Sequence, residues 1–170
     1  MSIVSTNISY NSSVLSQNLQ DLLKTYPFLN SKVIGYSVLG KPLYAITIGS
    51  GLKEVFYSAS YHANEWITSP LLMKFIEDLS KAYVLNSNLL GYSVQDLLSK
   101  VTIHLCPMVN PDGVDLVTGL LPKSSSAYHA AEEIAYSYPT IPFPSGWKAN
   151  INGVDLNLQF PARLGKCKRN

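Results

Sequence analysis

Apolar positions along the chain repeat with two different periods. Over residues 13–25 (SVLSQNLQDLLKT), Val14, Leu15, Leu19, Leu22 and Leu23 fall near helical spacing, with Ser13 or Ser16 placed to cap and Tyr26-Pro27 closing the helix. The stretch 32–49 then reads as a hairpin: strands 33–38 and 43–48 about a Gly40-Lys41-Pro42 turn. A short apolar strand, EVFYSAS over 54–60, runs directly into Tyr61-His62-Ala63-Asn64-Glu65. Behind Ser69 and Pro70, the residues Leu71, Leu72, Phe75, Ile76 and Leu79 form a helical stripe, which predicts a helix over 65–83.

Residues 86–91 read as a loop, 93–99 as a short helix and VTIHLCPMV (101–109) as a buried strand. Pro and Ser crowd 122–147, a loop with one helical island near 127–136, and GVDLNLQF (153–160) reads as a last strand. Strands alternating with amphipathic helices predict an α/β fold, a partial mixed sheet flanked by helices.

Composition narrows the classes. At 170 residues and 46% hydrophobic content, the chain is long and apolar enough for one packed domain or a portion of one. A net charge of +2 without a long basic run leaves no electrostatic footprint for nucleic acid. No apolar run approaches the roughly 18 residues of a membrane helix, and the first residues lack the basic and apolar regions of a signal peptide. With two cysteines, Cys106 and Cys167, no disulfide framework is expected, and a cytoplasmic location fits. Cys106 is expected to pack as a small hydrophobe, and His104, mid-strand beside it, to be a core histidine.

The chemistry concentrates at strand ends. His62 and Glu65 stand where a strand stops and a helix starts, and an imidazole and a carboxylate three apart across such a turn can converge on one cation. Taken alone, H-x-x-E is short and common and more often marks only a capped, solvated helix end. A second copy, His129-Ala-Ala-Glu132, follows a serine run with no strand to fix its backbone, so it is read as a surface helix. Asn110-Pro111-Asp112-Gly113 follows strand 101–109 as a tight turn, at the end of a sheet strand where open α/β sheets place ligands. Trp147-Lys148-Ala149-Asn150 and Gly153-Val154-Asp155-Leu156-Asn157 add a cation and an amide.

In this order, the H-x-x-E, N-P-D-G and W-K-x-N-x-x-G-V-D-L-N strings resemble the zinc metallocarboxypeptidase (funnelin) family, over about residues 10–162. The resemblance implies a carboxypeptidase-like fold with Zn²⁺ held by His62 and Glu65. It implies that Lys148, where carboxypeptidases typically show Arg, stabilises the oxyanion, and that Asn157 contacts the substrate. Lysine keeps the charge but loses the planar fork. Carboxypeptidases usually show an arginine directly before the zinc-binding glutamate and another directly after the matched asparagine. This chain has Asn64 and Leu158 there, so both bidentate grips on a free peptide C-terminus are missing.

The strings His62-Ala-Asn-Glu-Trp and L-N-x-Q-F-P-A are similar to the bacterial γ-D-glutamyl-L-diamino acid (meso-diaminopimelic acid) endopeptidase branch, which cuts muropeptides. In the family, a third zinc ligand (a histidine) and a general-base glutamate lie beyond L-N-x-Q-F-P-A. The chain is accordingly expected to be the N-terminal portion of one catalytic domain, with an unrelated tail at 163–170 and the C-terminal half missing. Its zinc site is then incomplete, the peptide or muropeptide hydrolase is inactive, and an exposed sheet edge favours self-association. The alternative is a non-catalytic binding or assembly protein retaining half of the fold.

Overall fold

The computed structural model describes residues 2–159. In chain order its elements are α1 (Ser12–Thr25), β1 (Asn30–Tyr36), β2 (Pro42–Ile48), β3 (Lys53–Ser58), a 3-10 turn (Ala63–Glu65), α2 (Thr68–Val84), β4 (Asn88–Leu89), β5 (Tyr92–Ser93), α3 (Val94–Lys100), β6 (Val101–Cys106), α4 (Pro111–Val117), α5 (Ser126–Ala135) and a second 3-10 turn (Leu156–Leu158). Four strands form one mixed sheet in the order β1-β2-β6-β3: β1 with β2 and β2 with β6 are antiparallel, β6 with β3 parallel. The α/β architecture and the 33–48 hairpin stand as the apolar pattern predicts.

One sheet face is dry. Ile46 and Leu105, and Ile48 and Ile103, are cross-strand partners, and all four lie in one core with Leu15, Leu19 and Leu22 of α1, Met73, Ile76 and Leu79 of α2, and Val94 and Leu98 of α3. The other face carries the row Thr47, His104 and Phe56, one residue from each of β2, β6 and β3. His104 is therefore not a core residue as its neighbours suggested. Its ring is a third exposed, with Nδ1 3.0 Å from the Thr47 hydroxyl and Nε2 3.8 Å from Glu54. Cys106 is buried as expected, and burial pushes its thiol pKa up, which keeps it an unreactive hydrophobe.

Several local expectations are corrected. Asn11, not a serine, caps α1, its side-chain oxygen accepting from the Val14 N–H at 3.0 Å. Residues 86–91 contain strand β4, which pairs with β5 in a small ribbon. Strand β6 stops at Cys106, because Pro107 cannot donate to a ladder. N-P-D-G is not a tight turn but the start of α4: Asn110 is the N-cap and Pro111 opens the helix, both favoured there. GVDLNLQF forms no strand among the described residues, because the Asp155 carboxylate accepts from the Asn157 N–H at 3.0 Å and winds 156–158 into the 3-10 turn. Phe160 and the tail 163–170, with Cys167, lie outside the described residues.

A second apolar cluster, of Ala63, Leu116, Tyr128, Ala131, Trp147 and Ile151, packs α4, α5 and the 147–151 segment behind the first 3-10 turn. Tyr128 and Phe143, and Phe143 and Trp147, meet edge to face at ring separations of 5.3 and 5.8 Å. This cluster places the Lys148 segment beside the His62 turn.

Candidate active site

The chain leaves β3 through a bend that the ordinary backbone regions do not supply. Ser60 takes φ 52°, the left-handed region that non-glycine residues enter at a cost of order 1–3 kcal/mol. The surroundings fix it there: Ser60 is buried, its N–H donates to the Thr68 hydroxyl at 2.9 Å, and its own hydroxyl lies 2.7 Å from that of Ser69. Past this bend the backbone turns across the carboxyl end of β3 and presents His62 and Glu65.

The His62 Nδ1 lies 3.0 Å from Glu65 Oε1, and its Nε2 lies 3.3 Å from Asp155 Oδ1. The imidazole is largely covered, at 15% exposure, whereas the Glu65 side chain is half open at 51%. A neutral imidazole donates from one nitrogen only. With Nε2–H given to Asp155, Nδ1 and the Glu65 carboxylate present lone pairs to the same point, an arrangement completed by a proton or a cation. Tetrahedral zinc with bonds of about 2.0–2.2 Å sets neighbouring ligand atoms roughly 3.3 Å apart, so the observed separation fits the ion. Asp155 approaches the opposite edge of the ring, where it can orient the imidazole but cannot share that cation. Among the described residues no three His, Cys, Asp or Glu side chains are grouped to hold a metal ion.

Lys148 is exposed, and its backbone carbonyl accepts from the Ala63 N–H at 2.9 Å, while the Trp147 carbonyl accepts from the Asn64 N–H at 3.0 Å. The candidate cation thus sits on a segment hydrogen-bonded to the turn between His62 and Glu65. Lys148 and Asp155 both line a cavity of about 270 Å³ whose apolar wall includes Ile134, Tyr138, Phe143 and Trp147. Asn157 is exposed and adjoins the site through its N–H bond to Asp155. The four residues singled out in the sequence therefore gather at one end of β3. Leu158 is 74% exposed, and the Asn64 side-chain oxygen is buried without a hydrogen-bond partner. His129, 3.5 Å from Glu132, is an exposed pair on α5, as its context indicated.

Sequence reasoning passed over Asp155 and Asn110. Asp155 was legible as a carboxylate two residues before Asn157, inside the string that carries the resemblance. Asn110 was read for its turn preference, which hides its donors.

Comparison with known proteins identifies the family. The chain is 44% identical over 161 residues to γ-D-glutamyl-L-diamino acid endopeptidase 1 of Lysinibacillus sphaericus, covering 95% of this chain and 40% of that protein. It is 33% identical over 138 residues to carboxypeptidase E of Caenorhabditis elegans, covering 75% of this chain and 24% of that one. Among solved structures, a carboxypeptidase A from Helicoverpa armigera superposes with a TM-score of 0.56 at 23% identity, over 68% of this chain and 28% of the other, a likeness of fold. The chain thus spans well under half the length of these relatives. The zinc carboxypeptidase (M14 peptidase) model matches residues 15–169, and the chain belongs to that family.

Proposed function

We propose that the chain is the zinc-site-bearing portion of a metallopeptidase that hydrolyses γ-D-glutamyl–meso-diaminopimelate bonds in cell-wall muropeptides. The observation that carries the reading is the His62–Glu65 pair, with ligand atoms 3.0 Å apart at the end of β3. The substrate class rests on the 44% identity to the Lysinibacillus endopeptidase. In this reading His62 Nδ1 and Glu65 hold Zn²⁺, and Asp155 fixes the ring so that Nδ1 faces the metal. The chemistry zinc supplies at such a site is Lewis-acid polarisation of the scissile carbonyl and acidification of a water molecule. Lys148 steadies negative charge developing on the carbonyl oxygen, and Asn157 contacts the substrate.

Neither Asn64 nor Leu158 can grip a free C-terminal carboxylate as arginine does, and each missing charge-assisted bond is worth about 1.5–3 kcal/mol. Ordinary C-terminal trimming is therefore disfavoured. Among the described residues, two protein ligands fall short of the three that a catalytic zinc takes. The other histidines are engaged elsewhere, His104 with Thr47 and His129 with Glu132. The 170 residues alone are accordingly inactive, and turnover requires further polypeptide that supplies a ligand and a general base. The same ligand count favours a second reading, a non-catalytic binding or assembly protein on this fold.

A fusion to the remaining part of the Lysinibacillus relative separates the two. Zinc-dependent cleavage of a diaminopimelate-containing stem peptide, in preference to a plain carboxypeptidase substrate, is the expected result. Preference for the plain substrate would overturn the specificity, and zinc-dependent turnover by the 170 residues alone would overturn the inactivity.

A further inference from the structure

The carboxamide of Asn110 meets the backbone of two segments, at Tyr61 and at Lys148–Ala149. The residue is 2% exposed. Its side-chain nitrogen donates to the Tyr61 carbonyl at 3.2 Å and to the Ala149 carbonyl at 2.9 Å, with the Lys148 carbonyl at 3.5 Å. Its side-chain oxygen accepts from the Gly113 N–H at 3.1 Å. Only this orientation of the amide sets donors against acceptors, and it uses both N–H groups as well as the oxygen.

The backbone around it is already joined in two places. Val109 and Asn110 donate to the Ala59 and Ser60 carbonyls at 2.9 and 3.0 Å, so β6's exit is tied to β3's exit. Ala63 and Asn64 donate to the Lys148 and Trp147 carbonyls. Asn110 stands between these two ties. Gly113, one turn into α4, makes the approach feasible: a Cβ there would come 2.7 Å from the Ala149 carbonyl oxygen and 2.8 Å from the Ala63 methyl.

We propose that Asn110 is a positioning residue, a clamp that holds the His62–Glu65 turn against the Lys148 segment and so sets the spacing of the candidate ligands and cation. Capping α4 is its second duty. The two duties need different atoms: the cap needs the oxygen, and the clamp needs the N–H pair. This inference rests on the metal reading above only for its consequence, since the clamp itself can be observed without metal.

Serine and aspartate both cap helices well and lack the paired amide donors. Asn110→Asp keeps the shape but sets a carboxylate against two carbonyl oxygens, whereas Asn110→Ser removes the amide pair and leaves one shorter hydroxyl that cannot serve both carbonyls. The measurement is backbone amide hydrogen exchange on the 170-residue chain. The expected result in Asn110→Ser is at least a tenfold loss of protection at Ala63 and Asn64, with Val114 in α4 and Ile76 in α2 unchanged. Asn110→Asp should lose more at the same two amides, and if it does not fold, the serine variant decides. Unchanged protection at Ala63 and Asn64 in Asn110→Ser, or loss spread equally into α4, would overturn the clamp and leave a cap.

Zinc calorimetry on the same proteins reads the consequence. Affinity should fall about tenfold or more in Asn110→Ser, the size of effect that outer-shell partners of metal ligands produce. If the unaltered chain binds no zinc, the metal reading fails while the amides still judge the clamp. If zinc affinity is unchanged in Asn110→Ser although both amides open, the clamp does not set the ligands, and the proposal fails on its second half.

Discussion

Gly113 stands against Ala63 so closely that a methyl group added to it would come 2.8 Å from the alanine Cβ. The contact joins α4 to the turn that carries His62 and Glu65. Alanine is the better helix former by about 1 kcal/mol, so an isolated helix would gain from Gly113→Ala. In the protein the opposite is expected, a loss of roughly 1–3 kcal/mol from overpacking, read as a lower urea midpoint at unchanged m-value. A stabilised variant would show that the helix and the turn can separate without cost.

A buried ion cluster fixes the other side of α4. Asp115 is fully buried, accepts from the Ser12 N–H at 2.8 Å, and is paired with the Lys41 ammonium. Asp112, also buried, accepts from the Ser37 hydroxyl at 2.8 Å and the Leu39 N–H at 2.9 Å, with Lys41 at 3.8 Å. Lys41→Met leaves two buried carboxylates without their shared cation, a kind of change that costs about 3–5 kcal/mol. Chemical denaturation measures it, and a loss below about 1 kcal/mol would show that the hydroxyl and N–H donors suffice.

Acid should release the first residues of the chain. Burial alone raises the Glu77 carboxyl pKa, but bonds from the Ile3 N–H, the Ser2 hydroxyl, Lys74 and the Val4 N–H outweigh it and hold the pKa below its ordinary value. The unfolded chain therefore binds this proton more readily than the folded one. The stabilisation is fully present above the ordinary value of about 4.3 and is lost as pH falls through the folded value. Protection of Ile3 and Val4 relative to their intrinsic exchange rates should fall over that acid range, and in Glu77→Gln it should already be low at neutral pH. Protection that ignores both changes would sink the assignment.

Zinc itself offers the most direct readout of the candidate site. An ion that binds only the folded chain stabilises it by about 2.7 kcal/mol at 100 times its dissociation constant. A zinc-dependent rise in melting temperature is expected, removed by chelation and abolished in His62→Ala and in Glu65→Ala. Asp155→Asn should weaken zinc about 10- to 100-fold without abolishing it. A thermal shift that survives both ligand substitutions would place the metal elsewhere.

The legible part of this molecule was whatever expressed itself as a period or an order. Apolar spacing marked α1, α2 and the β1–β2 hairpin, because Leu15, Leu19, Leu22, Ile76, Leu79 and Ile46 must share one dry surface, although Leu71 of the expected α2 stripe is 67% exposed and Met73 is buried instead. The order of short polar strings marked the family and the candidate site. What stayed hidden depended on partners distant in sequence. His104 read as a core residue because its neighbours Ile103 and Leu105 are apolar, yet a strand alternates its faces and His104 lies on the other one. Asn110-Pro111 reads equally as a turn or a helix start, and residues 114–117 settled it. Asp155 and Asn110 act through carbonyls and a ring some 38 to 93 positions away, separations that no local window spans.

The ion cluster beneath α4 also imposes a timetable. Ser12 and Asp115 are 103 positions apart, and Lys41 and Asp115 are 74 apart. The first turn of α1 and the bend at Lys41 thus find their shared carboxylate only after residue 115 has been synthesised. Chain closures of that length are slow compared with helix or hairpin formation. On the ribosome, the hairpin and α1 would be waiting with one lysine unanswered while the candidate turn at 62–65, already outside, has nothing to lean on. The site is among the earlier residues to be made and among the last to take shape.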